Sequence, residues 1–299
     1  MRPSSPSSQS SPTDPRLTVA FLRACTLDVV VRKPGNVSLA SPGHGMQAAQ
    51  FLASAQAAAG PLLQAGAPVG QRIDAAGAAT WAVAGCNTNL GILLLCAPLA
   101  AAAQQLTGPR NATTLQHAVQ AVLAGLTVDD APTAYRAIPR ANPGGLGRAE
   151  AQDVRVAPSI NLRAAMALAA HRDSIARQYA NGFAELFQLA RLLPPGLLPL
   201  VADGQAPPAT TRQVQRIWLT CLAAEPDAHI VRKHGGALAH TVMRAAQPWQ
   251  QRIEAGAVVD SDPAFAAWDT RLKQQGLNPG TSADFTVAAL FAAGLLDSV

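Results

Sequence analysis

The run at residues 91–103, GILLLCAPLAAAA, holds no charged or hydrogen-bonding side chain. A stretch like this must be kept from water, and few structures can do that. A membrane-spanning helix needs about 18 or more apolar residues in a row. This run has 13, with Pro98 inside it. It therefore predicts a helix buried on all sides, at the centre of a larger bundle. Composition points the same way. Alanine fills much of the 49% apolar share, aromatics are 4%, and charged residues are 14%, against about 25% in an average domain. Alanine is the strongest helix former and strand formers are thin, so an all-α fold is expected.

Apolar residues recur at helical spacing over residues 17–31, 46–59, 69–85, 89–105, 115–126, 131–138, 213–222, 229–247, 263–275 and 282–296. Residues 162–193 read as one long helix or a kinked pair. Residues 140–158 and 192–211 are rich in Gly or Pro and read as connections. The expectation is one compact multi-helix bundle of about ten helices over residues 16–299. Residues 1–15, MRPSSPSSQSSPTDP, lack a hydrophobic stretch and read as a disordered leader. Cys25, Cys86, Cys96 and Cys221 form no C-x-x-C pair and lie in apolar segments. Free thiols in a reducing cytoplasm are expected, with neither a zinc site nor a disulfide framework. The net charge of +5 comes from dispersed arginines. That favours an anionic small molecule over nucleic acid. A homodimer is compatible with the Ala-rich surface.

Five polar, Gly-rich segments interrupt these helices at their boundaries. They are Lys33-Pro34-Gly35-Asn36-Val37-Ser38, Pro42-Gly43-His44-Gly45-Met46, Asn87-Thr88-Asn89-Leu90-Gly91, Asp227 to Gly236, and Asn278 to Asp284. Helix N-termini offer free amides and a positive dipole end, which suit phosphate. Simpler readings stand beside this one. Lys33-Pro34-Gly35 can be a helix stop, His44 a loop residue, and Asn87-Thr88-Asn89 a cap cluster. Thr281 and Asp284 fit a capping box. Asp173 and Arg177 can form a surface pair one turn apart. The segment from Asp227 to Gly236 is harder to dismiss, because it puts His229, Arg232, Lys233 and His234 beside an acid. His229 and Lys233 would share a helix face. Asp28 lies inside an apolar helix, where an unpaired carboxylate is costly.

No phosphate-loop, dinucleotide, zinc-protease or serine-elbow motif occurs. The residues alone imply an anion held between helix ends by Lys and Arg, with Asp28, Asp173 and Asp284 as metal-ligand or base candidates.

Together and in this order, the segments resemble the triphosphoribosyl-dephospho-CoA synthase family. The matching pieces are Lys33-Pro34-Gly35-Asn36-Val37, Gly43-His44, Asn87-Thr88-Asn89-Leu90-Gly91, Asp227-x-His229 with Arg232-Lys233-His234-Gly235, and Gly280-Thr281-Ser282-Ala283-Asp284. The resemblance implies an all-α transferase that moves the ribose triphosphate of ATP onto the 2′-hydroxyl of dephospho-CoA and releases adenine, for prosthetic-group biosynthesis. It implies Mg²⁺ as cofactor and ATP as substrate. It makes Asp28, His44, Asp173, His229 and Asp284 catalytic candidates, with His44 or His229 protonating adenine. Asp28, Asp173 and Asp284 are the metal candidates. Lys33, Asn36, Ser38, Thr88, Asn89, Arg232, Lys233, His234 and Thr281 become substrate and phosphate contacts. The stretch Asn142-Pro143-Gly144-Gly145-Leu146-Gly147 resembles a branch found in archaea and methyl-oxidising bacteria. That branch implies, as an alternative, ribosyl-phosphate transfer in methanopterin-type C1 cofactor synthesis. A non-catalytic helical protein that binds nucleotides or CoA is the alternative from another class.

Overall fold

A computed structural model describes residues 14–141, 158–200 and 205–297. The fold is all-α. Fourteen helices run in order among the described residues: α1 (Pro15–Val30), α2 (Ala48–Leu62), α3 (Val69–Ala84), α4 (Leu90–Gln105), α5 (Ala112–Ala124), α6 (Asp130–Ala141), α7 (Leu162–Ala169), α8 (Ser174–Asn181), α9 (Ala184–Ala190), α10 (Pro208–Ala224), α11 (Ala228–His234), α12 (Gly236–Glu254), α13 (Pro263–Gln274) and α14 (Gly280–Gly294). The only β pairing among them is two isolated bridges, Ser38 with Ser41 and Gly43 with Met46. None of these helices is long and apolar enough to cross a membrane.

The apolar run is the central helix its sequence predicts: Gly91 to Ala103 of α4 are all buried. A second helix matches it. In α14 every residue from Thr281 to Ala293 is buried except Asp284. Helices apolar on every side belong in the middle of a bundle. α14 packs against α1, α4, α9, α10 and α11. Phe21 of α1 meets Phe291 of α14 edge to face, with ring centroids 5.8 Å apart. The scarce aromatics also build a smaller apolar cluster, where Trp218 of α10, Trp249 of α12, and Phe265 and Trp268 of α13 pack together.

Fourteen helices replace the expected ten or so because left-handed residues and caps cut the longer apolar stretches. The stretch 162–193 becomes α7, α8 and α9. Asp173 caps α8 by accepting from the Ala176 amide at 3.0 Å. Gly182 and Phe183, at φ 72° and 63°, then end α8 and turn the chain into α9. The stretch 229–247 divides at Gly235, φ 86°. Asp14 caps α1, and Pro15 is its first residue, so the helix takes in the last residue assigned to the leader. Residues 1–13 and the 142–147 stretch lie outside the described residues. All four cysteines are free, Cys25 and Cys96 buried and Cys86 and Cys221 partly so.

Candidate functional site

The five polar segments converge, although up to 251 positions separate them in the chain (284 − 33). The Lys33-Pro34-Gly35 turn that ends α1 is locked against the turn that begins α14. Gly35 has φ 86°, and a Cβ there would stand 2.7 Å from Pro279 Cδ and 2.8 Å from the Leu277 carbonyl. Only glycine fits both the angle and the space. The Gly35 amide donates to buried Asp269 at 2.8 Å, and Asn36 Nδ2 donates to Asn278 Oδ1 at 2.6 Å. The third segment reaches α14 through another glycine. A Cβ on Gly91, in the first turn of α4, would lie 2.1 Å from Asp284 Oδ2 and 2.7 Å from Ile175 of α8. Gly91→Ala is accordingly expected to destabilise by about 1–3 kcal/mol, although alanine is the better helix former by about 1 kcal/mol. Gly60→Ala in α2, with no atom near its Cβ, should be neutral or stabilising. Thermal melts of the two variants compare directly.

Asp227 fastens the fourth segment to the fifth. Its Oδ1 caps α11, accepting from the amides of His229 and Ile230 at 2.9 and 3.2 Å. Its Oδ2 accepts from the amide and hydroxyl of Ser282 in α14, both at 2.8 Å. The His229 amide also reaches Thr281 Oγ1 at 3.1 Å. The expected capping box therefore does not form. α14 starts at Gly280 with Pro279 at its N-cap and no side-chain cap. Thr281 and Ser282 serve α11 and Asp227 instead. That frees Asp284 to face α4.

The acids gather at this junction. Asp28 sits in the last turns of α1, buried, with its Oδ1 3.0 Å from Lys33 Nζ; the same ammonium donates to the Asp28 carbonyl. Lys33 itself is 0% exposed, so it presents no free charge to a ligand and instead holds Asp28. Asp173 meets Arg232 Nη1 at 3.3 Å. Arg177 does not pair with Asp173; it binds Glu185 and Glu225, at 3.0 and 2.6 Å. Asp284 keeps part of its surface in solvent, yet its carboxyl is pushed well above the usual range. Loss of water is the larger cause, followed by the charges of Asp28, Asp227 and Asp173. Lost water also raises Asp227, against its four hydrogen bonds.

The bases lie around the acids. Lys233 is exposed, while Arg232 and His234 are partly buried. His234 Nε2 contacts the Gly276 carbonyl at 3.1 Å. The His229 ring covers Gly280, with Nδ1 3.2 Å from where a Cβ would stand. Burial, then Arg232, Lys233, His44 and His234, push His229 down to about 3. His44, at φ 54°, donates from Nε2 to the Gly35 carbonyl at 2.7 Å. Burial and the nearby Lys233 and Lys273 also lower its pKa, against the Gly35 bond and Asp269. Both shifts favour the neutral imidazole over the charged one. The ring nitrogens can still donate or accept hydrogen bonds.

Five buried polar atoms at or beside the junction have no hydrogen-bond partner: Asp28 Oδ1, Asn36 Oδ1, Ser38 Oγ, His229 Nε2 and Arg232 Nε. Of these, Asp28 Oδ1 still has its ion pair with Lys33. Unmet polar atoms are rare in native interiors. Thr88 and Asn89 are buried as well: Thr88 donates to Ser54 at 2.7 Å and Asn89 to Thr80 at 3.1 Å. Among the described residues, no group of three or more His, Cys, Asp or Glu could hold a metal ion. The carboxylate oxygens do suit a hard cation that keeps one or two protein ligands and takes the rest from phosphate. Asp269 lies outside the five segments, and Asp227 and Ser282 lie inside them with no role of their own expected from the sequence. For Asp227 the sequence did carry a signal, an acid directly before a helix.

The family profile of ATP:dephospho-CoA triphosphoribosyl transferase (CitG) matches residues 15–298. A crystal structure provisionally described as a triphosphoribosyl-dephospho-CoA synthase, from Archaeoglobus fulgidus, shares the fold. Its TM-score is 0.61 at 21% identity, over 81% of this chain and 97% of that one. No curated protein matches the chain.

Proposed function

The chain belongs to the ATP:dephospho-CoA triphosphoribosyl transferase family, and on that premise we propose that the junction of α1, α4, α8, α11 and α14 is where the transfer occurs. The family reaction joins the ribose triphosphate of ATP to dephospho-CoA and releases adenine. One observation carries the placement. Segments from across the chain meet at one point, with acids on the inside and Arg232 and Lys233 outside them.

Each group then has a task. Breaking the bond between ribose and adenine builds positive charge at C1, which a fixed carboxylate stabilises. Asp28, held by Lys33, fills that role and accepts the proton of the attacking 2′-hydroxyl. Asp284 is the group whose surroundings best retain a proton, so it delivers one to the departing adenine. Neutral His44 and His229 orient the substrates through their ring nitrogens. Arg232, Lys233 and His234 take the triphosphate. Asn36, Ser38, Thr88, Asn89 and Thr281 contact sugar hydroxyls and phosphate oxygens. Mg²⁺ would be held by Asp28 and Asp173 with phosphate oxygens, and would offset the triphosphate charge. The protein works in the cytoplasm as one catalytic domain, on small molecules rather than nucleic acid, and a homodimer is its proposed assembly.

The test is to incubate the protein with ATP, Mg²⁺ and dephospho-CoA and to quantify free adenine. Adenine is expected in step with the triphosphoribosyl product, and EDTA should stop its release. No adenine, or pyrophosphate release from phosphoribosyl pyrophosphate instead, would overturn this donor and acceptor. Binding without turnover for every donor would overturn catalysis altogether.

A further inference from the structure

One turn of α13 carries two charged side chains that are nearly buried, Asp269 and Lys273, at 6% and 10% side-chain exposure. α13 itself packs through Phe265, Trp268 and Leu272 into the smaller apolar cluster. A carboxylate kept from water needs partners, and Asp269 spends both oxygens on the protein. Its Oδ1 accepts from the Gly35 amide at 2.8 Å. Its Oδ2 accepts from Lys273 Nζ at 2.9 Å. The Lys273 ammonium also donates to the Ser41 carbonyl at 3.0 Å. The stem of Lys273 lies under Gly43, where an added Cβ would stand 3.3 Å from its Cγ and Cε. His44, the next residue, donates from Nε2 back to the Gly35 carbonyl at 2.7 Å. The contacts close into a ring. Asp269 holds the amide of Gly35, His44 holds its carbonyl, and Lys273 ties Asp269 to the loop that carries His44.

His44 is an unusual residue for its place. With Gly45 it forms the centre of a tight turn, at φ 54° and 74°, closed by the Met46 amide donating to the Gly43 carbonyl at 2.8 Å. Glycine or asparagine suits the first of these positions, and a histidine there is strained. Such breaches of local rules gather at functional sites. The carbonyl of Gly35 can only accept, so His44 Nε2 carries the proton. In the neutral ring Nδ1 is then the acceptor. Lys233 acts electrostatically on His44, and His44 in turn on His229, so the ring lies at the edge of the junction.

We propose that Asp269 and Lys273 are a positioning pair for the transfer: they touch no substrate and act by holding His44 in one tautomer and one orientation. This rests on His44 serving at the proposed site. The hold on the ring is nonetheless measurable without turnover.

Nitrogen NMR of the full chain with labelled histidine, at about pH 8 where an ordinary imidazole is neutral, reads the tautomer. The His44 signals are those lost in His44→Ala. The parent should show Nε2 protonated and Nδ1 bare. Lys273→Met keeps the stem under Gly43 and removes the ammonium, and should give a mixture of tautomers. Asp269→Asn keeps Oδ1 for the Gly35 amide but sets an amide nitrogen against Lys273, and should do the same. In turnover, each change should lower kcat by up to about 10²-fold, as loss of alignment does. In a His44→Ala background each should cost less than about twofold, within the scatter of independent sites. A clamp that only stabilises the fold costs as much in that background as in the parent, and this result overturns the proposal. So does a parent whose His44 carries its proton on Nδ1, or a single Nε2 tautomer that survives both variants. If the tautomer is locked and loosened as expected yet ATP yields no adenine, the reaction assignment fails and the hold of Asp269 and Lys273 on His44 is upheld.

Discussion

Asp284→Asn is expected to lower kcat by about 10²–10⁴-fold while raising the melting temperature at neutral pH. The two effects share one cause. Short of water and near Asp28, Asp227 and Asp173, which outweigh Arg232, the Asp284 carboxyl holds its proton to a higher pH than it does in the unfolded chain. Between its ordinary value near 3.8 and that raised value, the folded protein therefore binds more protons than the unfolded one. Stability falls as pH climbs through that window, and the loss is fully present above it. Asparagine keeps the shape and cannot ionise, so the penalty disappears. Each tenfold change in proton affinity is worth about 1.4 kcal/mol, so the gain in melting temperature scales with how far the carboxyl is raised. Melts in metal-free buffer from pH 4 to 8 check the sign. The difference should shrink towards pH 4, where the folded parent keeps its proton and the unfolded chain begins to regain it. A variant no more stable than the parent at pH 7, or one with normal kcat, would remove Asp284 from the proposed role.

Asp227→Ala should do the opposite and cost stability, by about 3–5 kcal/mol. The substitution strands the amides of His229, Ile230 and Ser282 and the Ser282 hydroxyl. Each buried donor left without an acceptor costs on the order of 1–3 kcal/mol, partly recovered where His229 N keeps Thr281 or water enters. Urea unfolding measures the loss. Asp227→Asn retains one acceptor oxygen and should lose about half as much. If both variants unfold like the parent, α11 and α14 are held together by something other than this carboxylate.

The chain announces its centre plainly and its site only in pieces. Residues 91–103 had to be a buried helix, because nothing else hides so much apolar surface without strands or a bilayer. Helix ends were less legible. Gly182, Phe183 and Gly235 adopt left-handed angles that end helices, and apolar periodicity continues straight through the two stretches they divide. The site segments stood out because this chain is sparing with charge, but how they join could not be read. That Lys33 would be fully buried and serve Asp28 depends on a fold of the α1 end that no local pattern encodes. The Thr281-to-Asp284 spacing looked like a capping box because the local rule is sound. It yielded here because Asp227, more than 50 residues earlier, already supplied the acceptor for Ser282. Asp284 was thereby left to face Gly91 of α4.

The two sides of the junction are anchored differently. Asp28, Gly91 and Asp284 ride on α1, α4 and α14, whose bodies lie in the main apolar core. His44 and Lys233 belong to a loop and to the short α11. Over evolutionary time the first set can change only if the core changes with it, whereas the second can vary without it. If the proposed roles hold, a lineage built on this scaffold is free to exchange the anion it recognises while inheriting the carboxylates on its core helices almost intact.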